Sequence, residues 1–81
     1  MDKPPANAAA MRNRLAEVRR ARGWTQADLL RALVTRFPAC GATDAAISRW
    51  ERGRPMPSLR SALMLAAALG MPVEELFPLE G

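Results

Sequence analysis

Residues 42–57 read ATDAAISRWERGRPMP, and the folding of this stretch decides the architecture of the chain. Its first part reads as a short helix over residues 44–52. Thr43 precedes it with a hydroxyl free to accept from an unpaired amide of the first turn. Asp44 sets a negative charge at the positive end of the helix dipole. Ala46, Ile47 and Trp50 recur at three- and four-residue spacing and share one apolar face. Asp44, Ala45, Ser48, Arg49 and Arg52 fall on the rest of the surface. Gly53 is a good C-terminal stop, and Arg54-Pro55-Met56-Pro57 cannot continue a helix. A short helix with a small polar front and an arginine-rich exit suits insertion into a DNA major groove.

Charge supports the same reading. The net charge is +4, but residues 11–60 hold eleven arginines against Glu17, Asp28, Asp44 and Glu51, a local balance of +7. Glu74, Glu75 and Glu80 make the remaining C-terminal stretch acidic. Eleven of the twelve basic residues are arginine, whose planar fork grips phosphate or guanine with two hydrogen bonds. The chain has no histidine, which removes the commonest general base and the commonest zinc ligand. One cysteine, Cys40, cannot staple the fold and belongs to no metal-binding spacing. With 81 residues the core is too small for a deep catalytic cleft, so neither catalysis, a cofactor nor a metal is expected. No apolar run reaches the roughly 18 residues of a membrane span. The first residues, MDKPPANAAAMRNR, lack the apolar middle of a secretory signal, so a cytoplasmic location is expected.

The remaining pattern is helical throughout, and an all-α bundle of five helices is predicted. Residues 1–8, with two prolines, read as an N-terminal arm, followed by one domain over residues 9–78. A first helix is predicted from about Ala9 to Arg22, with Met11, Leu15 and Val18 as its apolar stripe. Gly23 ends it, Trp24 packs inward and Thr25 caps the second helix. The buried side of that helix is either Ala27, Leu30, Leu33, Val34 and Phe37 or the Leu29–Leu33 pair, and the helix can run as far as Phe37 before Pro38. Ser58 caps a fourth helix with Leu59, Ala62, Leu63, Ala66 and Leu69 as its core stripe, ending at Gly70. Pro72 opens a last short helix, VEELF, whose acids lie in the first turn.

Three strings in order, RLAEVRRARGWTQADL, AISRWERGRPMPSL and LAAALGMPVEELF, resemble the XRE-type (phage-repressor and Cro-like) helix-turn-helix domains over roughly residues 11–77. The resemblance implies a repressor-like bundle that binds double-stranded DNA. It places Asp44, Ala45 and Arg49 where family members read base edges. Gln26 matches a side chain that grips phosphate, Thr43 and Arg52 flank the groove helix at the DNA backbone, and Arg54 lies just beyond. Ser48 supports phosphate or DNA-facing water. Arg19 matches an arginine that pairs with the glutamate of the W-E-R-G segment, here Glu51, locking the first helix to the groove helix.

Two departures modify this picture. From Thr25 to Ile47 the chain is about seven residues longer than the usual family spacing, absorbed either by two further turns of the second helix or by a longer loop around Cys40. Asp44 and Ala45 stand where long polar side chains are common, so readout rests on Arg49 and on DNA shape. Met64, Ala67 and Met71 form a candidate apolar patch for a homodimer, whose two groove helices would lie about one DNA turn, some 34 Å, apart. The leading expectation is a sequence-specific transcriptional repressor acting on an inverted repeat. The alternative is a protein-interaction module on the same fold, such as an antitoxin that masks a partner protein.

Overall fold

The computed structural model describes residues 11–79. The expected arm, residues 1–8, lies outside the described residues. Five helices follow in order: α1 Leu15–Ala21, α2 Gln26–Arg36, α3 Asp44–Arg52, α4 Leu59–Leu69 and α5 Val73–Leu76. No β-strand occurs among the described residues, only an isolated antiparallel bridge between Met11 and Leu79. None of the helices is long and apolar enough to cross a membrane.

Local chemistry sets the helix ends. The Thr25 hydroxyl accepts from the Asp28 amide at 3.1 Å while the Asp28 carboxylate accepts from the Thr25 amide at 2.8 Å, a reciprocal capping box. Thr43 accepts from the Ala46 amide and Ser58 from the Ser61 amide, each at 3.1 Å. Gly53 closes α3 in the left-handed region at φ 66°. A Cβ there would also meet the Met56 sulfur at 3.2 Å and the Asn13 amide nitrogen at 3.4 Å. The positive φ favours glycine, and the tight contacts add to that preference.

Every helix contributes at least one fully buried side chain to a single core: Leu15 from α1, Leu29 and Leu33 from α2, Ile47 from α3, Leu65 and Leu69 from α4, and Leu76 from α5. α4 packs against both α2 and α5, while α3 packs against α1 and α2. Of the two buried sides open to α2, the structure selects the Leu29–Leu33 pair, with Ala27 and Val34 exposed and Leu30 and Phe37 partly buried.

Two expectations are corrected here. α1 begins at Leu15 rather than near Ala9. Residues 11–14 run alongside the C-terminal segment instead, because the Arg12 amide donates to the Pro78 carbonyl at 2.7 Å and the Arg14 amide to the Leu76 carbonyl at 3.1 Å. The Asn13 carboxamide oxygen takes the Leu15 amide at 3.0 Å and opens the helix. Met11, assigned to the apolar stripe, is therefore 45% exposed. The second correction is the α4 stripe, which runs through Ala62, Leu65, Ala66 and Leu69 and leaves Leu59 75% and Leu63 49% exposed. α4 is apolar nearly all round, so its own sequence offers two flanks, and the packing of α2 and α5 decides between them.

The open alternative between residues 34 and 42 resolves into both elements. α2 ends at Arg36, and residues 37–43 connect it to α3 with Gly41 at φ 70°. The usual tight turn is replaced by this connection, in which Cys40 is half-buried against the core.

The selection of Leu65 over Leu59 is directly testable. Leu65→Ala is expected to destabilise the domain by about 2–5 kcal/mol, and Leu59→Ala to change it by less than about 0.5 kcal/mol, both measured by urea unfolding at constant m-value.

Candidate nucleic-acid interface

α3 owes its position to a buried polar node at its C-terminal end. Arg19, on α1, has only 7% of its surface exposed, the one charged residue among the buried described residues. Its guanidinium Nε lies 2.5 Å from Glu51 Oε2 and its second nitrogen 3.1 Å from Glu51 Oε1, a two-pronged pair. The third nitrogen donates to the Trp24 carbonyl at 2.7 Å. Glu51 Oε1 also accepts from the Gln26 side-chain amide at 3.0 Å. One carboxylate thus joins α1, the first turn of α2 and the last turn of α3.

Burial pushes the Glu51 carboxyl up, but hydrogen bonds from Arg19 and Gln26, with the attraction of Arg19 and Arg20, outweigh it and hold the group below the ordinary glutamate range. The Arg19 guanidinium is raised by the same hydrogen bond. Asn13 adds a second fastening, its amide nitrogen donating to the Trp50 carbonyl at 2.6 Å. This residue was missed in the sequence. Standing just ahead of α1 it reads as a local cap, which it also is, and nothing local points to a carbonyl 37 residues away.

With its inner face fixed by Ala46 and Ile47, α3 turns its other side to solvent. Asp44, Ala45, Arg49 and Arg52 are exposed, and Ser48 is half-exposed. Thr43 is exposed at the N-cap, its hydroxyl engaged by the Ala46 amide. Arg52 and Ser48 form one unit, the guanidinium donating to the Ser48 hydroxyl at 2.6 Å one turn away. Arg54, exposed in the following turn, has its backbone amide directed at the Arg49 carbonyl at 3.4 Å. Gln26 sits apart from this row, half-buried on the Glu51 node, and one amide hydrogen remains beyond the bond it makes. The structure therefore gathers Thr43, Asp44, Ala45, Ser48, Arg49 and Arg52 on one helix, with Arg54 at its exit and Gln26 tied to its end through Glu51.

Among the candidate dimer residues, Met64, Ala67 and Met71 are each half-exposed, and Met64 and Met71 pack in part against the core. Among the described residues the large exposed apolar side chains are elsewhere: Met11, Val34, Leu59, Leu63 and Leu79. Met11, Leu59 and Leu79 share one groove of about 400 Å³ with Val73 and Phe77.

A helix capped by Thr43, backed by a second helix and presenting a polar, arginine-bearing front on a small α-bundle defines a helix-turn-helix domain. The family model described as "Helix-turn-helix domain" matches residues 10–79, and the chain belongs to that family. No curated protein matches the chain. Membership makes DNA binding the general function of the domain.

Glu51→Ala strands the buried Arg19 charge and is expected to destabilise the domain by about 3 kcal/mol. An Arg19→Met/Glu51→Leu double variant recovers most of that loss in urea unfolding, since a packed apolar pair often replaces a buried ion pair at little cost. The folded-state pKa of Glu51 is depressed. Its stabilisation is therefore fully present above the unfolded value of about 4.3 and is lost as pH falls through the folded value. The acid arm of the stability curve should accordingly be shallower in Glu51→Ala than in the parent.

Proposed function

We propose that the chain is a sequence-specific, double-stranded DNA-binding transcriptional regulator, a repressor that occupies an inverted repeat as a dimer in the cytoplasm. The observation that carries this reading is the exposed front of α3, Asp44, Ala45, Arg49 and Arg52, on a helix held by the buried Arg19–Glu51–Gln26 node. The role is occupancy of DNA, with no chemistry required.

In this reading Arg49 reads guanine O6 and N7 with its two-pronged guanidinium, near the centre of the exposed face. Asp44 accepts from a cytosine amino group, and Ala45 offers its methyl to thymine. Arg52, steadied by Ser48, and Arg54 neutralise phosphates on either side of the C-terminal end of α3. Thr43 meets the backbone at the N-terminal end, and the spare amide hydrogen of Gln26 donates to phosphate. With so short a row of readers, a monomer covers too little sequence to find one site, and a two-fold partner doubles it.

The surface we assign to that partner is the exposed apolar set Met11, Leu59, Leu63 and Leu79, with Met64, Ala67 and Met71 contributing at the margin, Met64 and Met71 being covered in part by their own core. Leu63 follows Leu59 by one turn of α4, so the two extend the Met11–Leu79 groove along the helix.

Arg49→Ala is expected to relax preference at one base position per half-site, a loss of about 1–3 kcal/mol of discrimination. Arg52→Ala should weaken all duplexes alike and reduce the salt slope by about one. Selection of duplexes from a random pool, followed by salt titration, measures both. An unchanged preference in Arg49→Ala sinks the base-reading assignment.

Leu59→Glu/Leu79→Glu is expected to sediment as a monomer, binding a half-site normally and the full inverted repeat weakly. A parent chain that sediments as a monomer when bound to its full site removes the dimer.

A further inference from the structure

Between α2 and the C-terminal half of α4 the surface sinks into a second groove, shallow, open and about 740 Å³ in volume. Its floor is made of small residues, Ala32 from α2 and Ala67 and Ala68 from α4, with Trp24 contributed by the turn before α2. Arg31 and Arg36 line its α2 side. The α2 residues recur at three- and four-residue spacing, so the groove follows the length of the helix. None of these residues belongs to the α3 front or to the Met11–Leu79 groove, and only Ala67 also stands at the margin of the assigned dimer surface.

We propose that this groove is a docking site for an amphipathic, acidic α-helix of a partner protein. Shape is the first argument. An alanine floor between two helices lets a third backbone approach closely, and an open trough accommodates a helix better than it encloses a small molecule. The second is a prepared anchor. Trp24 is half-buried, and the Arg22 guanidinium lies over its ring at 5.4 Å from the centroid. Arg22 is itself held by the Leu69 carbonyl, so little side-chain freedom remains to be lost when an apolar residue packs on the indole.

Charge selects the occupant. Arg31 and Arg36 line the groove and Arg22 lies over the ring of its Trp24, while Asp28 is the one acidic residue in the lining. The Asp28 carboxylate is spent locally, accepting from the Thr25 amide at 2.8 Å and facing Arg31 at 3.4 Å. A partner helix with leucine or isoleucine on one side and glutamate or aspartate on its flanks matches this arrangement. A second copy of the same face is repelled by it. DNA can meet the flanking arginines through phosphate, but the apolar floor and the Trp24 face offer its backbone nothing, whereas they match the apolar side of a helix.

The test is a fluorescence-polarisation titration of the full chain against a labelled acidic amphipathic peptide of about 18 residues, long enough to hold a helix. A peptide of the same composition, scrambled to break the apolar spacing, is the control. Amide NMR shifts map the contact. The expected result is saturable binding with shifts concentrated at Trp24, Ala32 and Ala67, weakened about tenfold by scrambling and by Arg31→Glu/Arg36→Glu. Both arginines are exposed, so the double variant should keep the parental unfolding midpoint within a few degrees. Absent binding, binding indifferent to charge reversal, shifts centred on Leu59 and Leu79, self-association through the groove, or an effect of the double variant on DNA affinity alone would each overturn the proposal.

Discussion

The arrangement of this domain depends on one buried carboxylate. Glu51 gathers Arg19, Gln26 and, through Arg19, the Trp24 carbonyl, so three helix ends meet at a single polar point inside an otherwise apolar bundle. An ion pair of this kind adds little net stability, since desolvation consumes most of the Coulomb attraction. Its contribution is directional. Leucine–leucine packing tolerates sliding and rotation, whereas a two-pronged guanidinium–carboxylate pair fixes distance and angle together. The base-reading role proposed for α3 needs that definition, and the node stands on the same turn as Trp50 and Arg52.

The apolar core supplies the complementary part. Seven fully buried large side chains come from all five helices, so no helix of the described chain is merely peripheral. α4 carries the greatest share of this work, filling the space between α2 and α5 with Leu65 and Leu69 while its alanines permit close approach. The short pairing of residues 11–14 with residues 76–79 then ties the two ends of the described chain together. The Arg14 side chain strengthens that tie by donating to the Glu75 carbonyl at 3.0 Å while it pairs with Glu17.

What was legible in the sequence was what is local. Thr25, Thr43 and Ser58 announce their helices because a cap is a bond across three residues, and Gly53 and Gly70 end theirs because backbone conformation demands it. α3 was readable end to end, its apolar face narrow and its polar face unambiguous. α4 was not. In LRSALMLAAAL almost any stripe is apolar, and only its neighbours choose Leu65 over Leu59 and Leu63. The start of α1 failed for the opposite reason. Met11 fits helical spacing, but the Arg12 and Arg14 amides are claimed by carbonyls more than sixty residues away. The Asn13–Trp50 bond was hidden in the same manner. The Arg19–Glu51 pairing came from family resemblance, since spacing alone says nothing about which arginine in an arginine-rich helix turns inward.

The chemistry of the exposed α3 front also constrains how a regulator built on it could work. Ala45 has a single methyl, Asp44 repels phosphate as readily as it accepts from cytosine, and the Ser48 hydroxyl is already engaged with Arg52. That leaves Arg49 as the only long side chain on the front with its donors free of any of these bonds. One bidentate arginine distinguishes a guanine but cannot specify a site. In the proposed dimer, discrimination comes from placing two such arginines at a fixed separation and from the cost of deforming the intervening duplex. Both depend on rigidity more than on the number of contacts: a groove helix able to tilt would relax the spacing and forfeit the only information the pair carries. In the proposed dimer the buried node at Glu51 and the apolar surface around Leu59 serve one requirement, the first holding α3 within the protomer and the second holding one α3 against another.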